Sequence, residues 1–267
     1  GSILAIAGIL VRIIGMLYRI PVVNIIGSEG NGIYGAAFNI YNIMLVLSSY
    51  GLPMAVSKLV SARFTKRRYK SAAKVLRCSL MVAVCTGGIA ALLVFFGASF
   101  IENVIYGGGL PGLAIPLRIL APTIFLVAIL GVIRGFFQGQ STMIPTAVSQ
   151  ILEQIVNAIV SIAAGYGMMK AFASSPDVAA YGAAGSTLGT AMGALTAVLF
   201  MGFLYAVYTP TFNRLKRKDR HTENQSTGQI CKIIIYTMIP IILGQTFYQI
   251  SALIDDVMSV SYTHLTL

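Results

Sequence analysis

Long apolar runs dominate the chain, and short polar segments separate them. A helix needs about 20 apolar residues to cross the hydrocarbon core of a bilayer. The runs reach that length, and they do not alternate between apolar and polar residues as the roughly 10-residue strands of a membrane barrel would. The pattern therefore predicts an all-α polytopic membrane protein with about seven transmembrane helices. The predicted spans are 3–25, 33–57, 78–100, 113–136, 144–169, 181–208 and 233–256.

The composition agrees with this pattern. Of the 267 residues, 57% are hydrophobic and 10% are charged, and the mean hydropathy is +0.82. Soluble domains carry about 25% charged residues, so the composition excludes a soluble fold, and the shortage of polar residues excludes disorder. The net charge of +11 would suggest nucleic-acid binding in a soluble protein. In a membrane protein, the interpretation of this net charge depends on where along the chain the basic residues lie.

The basic residues concentrate in two segments. Residues 58–77 contain eight basic residues and no acid, and residues 214–232 contain six basic residues against Asp219 and Glu223. The loops at 27–32, 101–112 and 170–180 hold three acids and a single lysine. With seven spans, the two basic segments fall on one side, and the positive-inside rule makes that side cytoplasmic. The N-terminus is then cytoplasmic, and the basic segments need no nucleic-acid partner to explain them.

Motifs for catalysis, metal or cofactor binding are not found. The three cysteines and two histidines form no metal-ligand pattern, and no catalytic carboxylate pair stands out. Residues 30–35 match G-x-G-x-x-G, but a dinucleotide site needs a preceding strand and an acid about 20 residues later. A membrane span precedes this match, and we expect its glycines to form the tight outer turn between the first two spans. The sequence predicts a protein that is not an enzyme and has no cofactor.

Two arginines lie inside the first predicted span. Each costs roughly 2.5–3.5 kcal/mol at mid-membrane on insertion scales. Arg12 and Arg19 are seven residues apart, about two helical turns and about 10 Å, so they share a helix face. This geometry suits a water-filled cavity that holds an anion with two charged groups, such as a diphosphate, which arginine binds in bidentate fashion. Alternatively, Arg19 extends to the outer headgroups and only Arg12 is buried.

A polar stripe marks the fifth predicted span. Glu153 lies beside Gln150, Gln154 and Asn157 at helical spacing. The stripe either lines a cavity or forms hydrogen bonds to an adjacent helix, and we favour the packing role. Two sets of glycines recur every four residues, a spacing that lets membrane helices approach closely. They are Gly131, Gly135 and Gly139, and Gly185, Gly189 and Gly193.

Several segments together resemble one family of membrane transporters. They are 12–21 (RIIGMLYRIP), 27–34 (GSEGNGIY), 47–53 (LSSYGLP), 57–58 (SK), 134–139 (RGFFQG), 143–147 (MIPTA), 149–150 (SQ) and 153–154 (EQ). The chain resembles the oligosaccharide and lipid II flippases of Gram-positive bacteria, including the stage V sporulation protein B group. That group belongs to the multidrug/oligosaccharidyl-lipid/polysaccharide exporter superfamily. The resemblance covers nearly all of residues 3–256.

The resemblance implies about fourteen helices in two lobes around a central cavity. It implies alternating access, in which a lipid-linked diphosphate sugar or peptidoglycan precursor moves from the inner to the outer leaflet of the bacterial cytoplasmic membrane. Arg12 matches the family's functional arginine in the first helix, and Arg19 lies near a second one. Glu29 lies close to the place where lipid II flippases have a functional acid. Glu153, Gln150 and Asn157 are candidate cavity-lining residues.

Together with the two-lobe architecture that the resemblance implies, the sequence predicts four regions. Residues 1–210 form a first transmembrane lobe of six helices, 211–232 a basic cytoplasmic linker, and 233–260 a seventh helix that starts the second lobe. Residues 261–267 form an atypical polar tail, and the sequence leaves open whether this tail is native. We also expect that the native start and most of the second lobe are missing.

Two other functions compete with the flippase. A multidrug cation antiporter of the same superfamily would need acids in its cavity, whereas the first four spans contain arginines and no mid-span acid. A membrane glycosyltransferase would need catalytic carboxylates or a metal motif. Both remain as alternatives to an anionic, lipid-linked substrate.

Overall fold

A computed structural model describes residues 2–221 and 225–265. The described residues form helices and connecting turns, with no β-strand among them, which confirms the all-α prediction. The helices are α1 (Ser2–Ser48), α2 (Leu52–Thr65), α3 (Tyr69–Phe100), α4 (Ala114–Gly139), α5 (Ile144–Ala171), α6 (Val178–Lys218) and α7 (Thr227–Leu265). A short π-helical turn, Ile101–Ile105, extends α3.

Helix α1 reverses direction at Gly27. As one straight rod its 47 residues would measure about 70 Å, far more than the roughly 30 Å of the hydrocarbon core. Gly27 has φ 71° and ψ −175°, a backbone conformation that favours glycine. Tyr18 and Tyr34, on either side of it, lie close enough for their side chains to interact, whereas 16 residues of one straight helix would separate them by about 24 Å. The first two predicted spans are therefore an antiparallel helix pair.

The position of this reversal differs from the sequence-based expectation. We expected the glycines of 30–35 to form the turn, but these residues are helical, and the break lies three residues before Gly30. An ideal Cβ on Gly30 would lie 2.9 Å from the Ile26 Cβ and 3.2 Å from the Ala179 carbonyl oxygen. Gly30 thus serves close packing just after the reversal.

Six described helical stretches are long and apolar enough to cross a membrane. They are Ile3–Thr65, Tyr69–Ile105, Ala114–Gly139, Ile144–Ala171, Val178–Lys218 and Thr227–Thr246. The first has 63 residues and contains the reversal at Gly27, so it accounts for the first two predicted spans. A second interruption, at residues 49–51, separates α1 from α2. The fold is that of a multi-pass membrane protein.

The two basic segments meet at one end of the helix bundle, which we call the basic end. Arg63 donates a hydrogen bond from Nη2 to Gln225 Oε1 at 2.9 Å. The backbone N–H of Lys70 donates to Asp219 Oδ2 at 2.8 Å. The segments that the sequence places on one side are therefore in direct contact.

The predicted linker 211–232 contains two helix ends. Helix α6 continues to Lys218, and α7 begins at Thr227. A capping box starts α7, since Gln229 N–H donates to Ser226 Oγ at 3.2 Å and Ser226 N–H donates to Gln229 Oε1 at 2.9 Å. At the other end, α7 reaches Leu265, and residues 266 and 267 lie outside the described residues. The division into lobe, linker and tail stays a prediction.

Both glycine sets lie at helix–helix contacts. An ideal Cβ on Gly189 would lie 2.6 Å from the Asn157 carbonyl oxygen of α5, and one on Gly193 would lie 2.6 Å from the Glu153 carbonyl oxygen. One on Gly135 of α4 would lie 2.6 Å from the Pro53 carbonyl oxygen of α2. These helices approach so closely that no side chain fits between them, which confirms the packing role predicted from the spacing.

Candidate functional site

Arg12 and Arg19 lie at the edge of the face by which α1 packs on α5. Gly15, between them, sits against α5, because an ideal Cβ there would be 3.3 Å from Gln154 Nε2. Tyr18 accepts a hydrogen bond from Asn157 Nδ2 at 3.2 Å. The arginines lie three residues before and four residues after Gly15, so they share its side of the helix.

Both arginine side chains are exposed in this bundle. The ion pairs among the described residues include neither of them. Arg19 lies within electrostatic range of Tyr34, across the reversal. The first half of α1 therefore presents two guanidinium groups, seven residues apart, that no carboxylate of the described residues neutralises.

Glu29 lies apart from this pair along the chain. It follows the reversal at Gly27 by two residues and is exposed. No ion pair among the described residues joins it to Arg12 or Arg19. The structure therefore does not bring the acid and the two arginines into a salt bridge.

Glu153 forms an ion pair with Arg134 of the neighbouring helix α4. Arg134 Nη2 lies 2.7 Å from Glu153 Oε2, and the two side chains are 14% and 26% exposed. Arg134 Nε also donates to Ser149 Oγ at 2.9 Å. The Glu153 carboxylate is thus held by one cation in a largely shielded position, and Arg134 is oriented by two partners on α5.

Gln150 lines a cleft of about 240 Å³ together with Arg134 and Gln138. Ser49 and Tyr50, at the interruption between α1 and α2, contribute to the same cleft. Polar groups from α4, from α5 and from the turn between α1 and α2 therefore meet beside the Arg134–Glu153 pair.

Asn157 is buried and joins three helices. It donates to Tyr18 of α1, and its Oδ1 accepts from Ser161 Oγ at 2.9 Å within α5. The same oxygen accepts from Thr190 Oγ1 of α6 at 3.4 Å. Its amide is occupied by hydrogen bonds inside the bundle, and this arrangement is that of a packing residue.

The sequence analysis did not predict the Arg134–Glu153 pair, although Arg134 lies in the fourth predicted span and Glu153 in the fifth. They are 19 positions apart on different helices. The available signal was their opposite charge in consecutive spans, because charges inside a membrane usually pair with one another.

The chain matches a described protein family along almost its whole length. Residues 1–266 match the family described as polysaccharide biosynthesis protein. Lipid II flippase MurJ of Bacillus subtilis (strain 168) is 35% identical over 167 residues, which are 60% of this chain and 31% of MurJ. Stage V sporulation protein B of the same bacterium is 30% identical over 201 residues, 74% of this chain and 37% of that protein. The chain thus spans about a third of the length of these relatives.

Solved transporter structures share the fold. A crystal structure of MATE in the straight conformation matches with a TM-score of 0.72 at 18% identity, over 91% of this chain and 52% of that one. A transporter of the MOP superfamily from Pyrococcus furiosus, described as having a binding pocket of reversed polarity, matches with a TM-score of 0.65 at 17% identity, over 91% and 52% of the two chains. Because the family model matches residues 1–266, the chain belongs to the polysaccharide biosynthesis protein family.

Proposed function

We propose that this chain provides one lobe of a flippase for a lipid-linked diphosphate precursor, an undecaprenyl-diphosphate-linked oligosaccharide or a lipid II-like peptidoglycan precursor. The single observation behind the proposal is the exposed pair Arg12 and Arg19 on one side of a membrane helix, without a carboxylate partner among the described residues. Transport proceeds by alternating access, in which this lobe rocks against a second one.

The energetics favour a polar environment for this pair. Two arginines facing lipid would cost on the order of 5–7 kcal/mol on insertion scales. A water-filled cavity between two lobes removes that cost, and an anionic substrate there gains bidentate hydrogen bonds from each guanidinium. A separation of about 10 Å along the helix lets one arginine bind the diphosphate and the other meet a neighbouring part of the headgroup.

The cation antiporter is the competing function within the superfamily, because the solved structures with this fold include MATE proteins. A cation site needs an acid that is free to bind. Glu153 is already paired with Arg134 at 2.7 Å, which favours an anionic substrate. Lipid flipping also breaks no covalent bond, so it requires neither catalytic residues nor a cofactor.

Substitutions of Arg12, in the complete protein supplied to a strain without its own flippase, test this function. Arg12→Ala should abolish complementation in a strain that lacks its endogenous flippase, while membrane abundance stays normal. Arg12→Lys keeps the charge but loses the planar fork and should restore only part of the activity. Met16→Ala, which truncates an exposed apolar side chain of the same helix, is the matched control. Full complementation by Arg12→Ala at normal abundance would refute the substrate-binding role.

We further propose that the protein lies in the bacterial cytoplasmic membrane with its N-terminus and basic end in the cytoplasm. The charge difference between the two sets of loops supports this orientation. In a background without native cysteines, Lys66→Cys and Lys218→Cys should resist a membrane-impermeant thiol reagent in intact cells, and Asp177→Cys should react. External labelling of both basic positions would reverse the orientation.

A further inference from the structure

A cleft at the basic end gathers cations from two helices. Its volume is about 540 Å³, and its lining includes Lys70, Lys74 and Arg77 of α3 and Lys216 of α6. The three α3 residues follow each other at spacings of four and three, so they share one helix face. An adjoining cleft of about 550 Å³ shares Lys70 and Lys216 and adds Arg217. Among the residues 2–221 and 225–265 that the structure describes, no acid lines either cleft.

Asp219, the acid that contacts Lys70, is already committed to other partners. Asp219 accepts from the backbone N–H of Lys70 at 2.8 Å and from the backbone N–H of His221 at 2.9 Å, and its Oδ1 lies 3.0 Å from His221 Nδ1. Burial raises the pKa of Asp219, but these hydrogen bonds outweigh it and hold the pKa below its usual value. Lys74 donates to the Gln225 carbonyl oxygen and keeps two further N–H groups.

Two helix N-termini add to the positive potential. Helix α3 begins at Tyr69, one residue before Lys70, and α7 begins at Thr227, which lines the cleft. The N-terminus of a helix carries a partial positive charge that attracts anions such as phosphate, although the backbone N–H groups of Lys70 and Gln229 already donate to Asp219 and Ser226. The cations and the helix dipoles therefore act on the same space.

The basic face of α3 continues into an apolar one. Met81, four residues beyond Arg77, lines the cleft and is 51% exposed, and Val84 and Leu92 further along the helix are 46% and 58% exposed. A soluble anion would use only the basic part of this surface. An amphiphile would use both, with its charged headgroup among the lysines and its chains along α3.

We propose that this cleft binds the phosphate headgroup of an anionic phospholipid from the leaflet at the basic end. Lys70, Arg77 and Lys216 surround the phosphate, and one acyl chain lies against Met81. Basic pockets between transmembrane helices are a known means of binding anionic lipid headgroups. The site does not depend on the proposed transport substrate.

Fluorescence quenching by brominated lipids tests the site directly. The chain contains no tryptophan, so Met81→Trp introduces a single indole beside the cleft. The protein is reconstituted in phosphatidylcholine vesicles that contain brominated phosphatidylglycerol, and in vesicles that contain brominated phosphatidylcholine instead. We expect about tenfold tighter association of phosphatidylglycerol at this position, because each basic side chain attracts an anionic headgroup severalfold. Val207→Trp, at an exposed position about as far from the basic end on α6, should show no such preference.

Two triple variants separate a site from general charge attraction. Lys70→Gln, Arg77→Gln and Lys216→Gln together should abolish the preference. The control, Lys58→Gln, Lys66→Gln and Arg214→Gln, removes the same charge from exposed residues that line neither cleft and should retain it.

The remaining outcomes overturn the proposal. Equal loss in both triple variants would mean non-specific attraction. Displacement of phosphatidylglycerol by millimolar inorganic phosphate would mean a soluble-anion site. Equal quenching by both brominated lipids in the Met81→Trp protein, with its basic residues intact, would mean that the cleft does not select the headgroup.

Discussion

Replacing Glu153 with Gln removes the charge that pairs with Arg134 and leaves a guanidinium in a position only 14% exposed. Breaking one side of a fully buried pair costs about 3–5 kcal/mol. Because Glu153 is 26% exposed and Ser149 still accepts from Arg134 at 2.9 Å, we expect the lower part of this range or less, about 2–3 kcal/mol. Domains of this size lose about 2–4 °C of Tm per kcal/mol, so the apparent Tm in detergent should fall by about 4–12 °C.

The double variant, Glu153→Gln with Arg134→Met, should recover most of this loss, because removing both charges also removes the desolvation cost. Arg118→Gln, on α4 with Arg134, is the control. Arg118 is exposed and donates to Ser99 Oγ at 3.0 Å, a contact worth little on a surface. If Glu153→Gln and Arg118→Gln lower the Tm equally, or if the double variant is the least stable of all, the Arg134–Glu153 ion pair does not stabilise the bundle.

Three further results are expected. Gly189→Ala should destabilise the protein by about 1–3 kcal/mol, since its Cβ would lie 2.6 Å from a backbone oxygen, while Gly202→Ala on the same helix, with nothing within 4 Å, should leave the Tm unchanged or raise it. The thiols of Cys78 and Cys231 lie close enough to interact electrostatically, so mild oxidation should link α3 to α7; absence of the linked peptide from mass spectrometry would contradict this proximity. Because the pKa of Asp219 is lowered in the folded state, its contribution to stability is present above its unfolded pKa of about 3.9 and is lost as the pH falls through the folded value. Limited proteolysis of the segment after α6 should therefore increase at acidic pH, and Asp219→Asn should show the faster cleavage already at neutral pH.

The spans and the segregation of charge could be predicted from the sequence because both follow from the bilayer. Apolar length determines where a helix crosses, and the contact between Lys70 and Asp219 agrees with placing both basic segments on one side. The glycine spacing also predicted close helix contacts. A glycine lets two helix backbones approach closely whichever helix it faces, so this prediction did not require knowing the partner helix.

The position of the reversal and the partner of Glu153 depend on information that spacing does not carry. Four glycines fall within residues 27–35, and only the left-handed φ of Gly27 identifies the break. The pairing of Arg134 with Glu153 depends on the rotation and height of α4 against α5. A helical period places each charge on its own helix face, but it does not say which faces meet.

The glycine seam between α5 and α6 restricts how these two helices can move relative to each other. Three consecutive turns of α6 approach the α5 backbone without an intervening side chain, so neither helix can slide or rotate without a steric clash. In the proposed alternating-access cycle we therefore expect the two helices to move together as one rigid body. We expect bending at Gly27 and at residues 49–51, where the backbone is already irregular. These two places lie at opposite ends of the second half of α1.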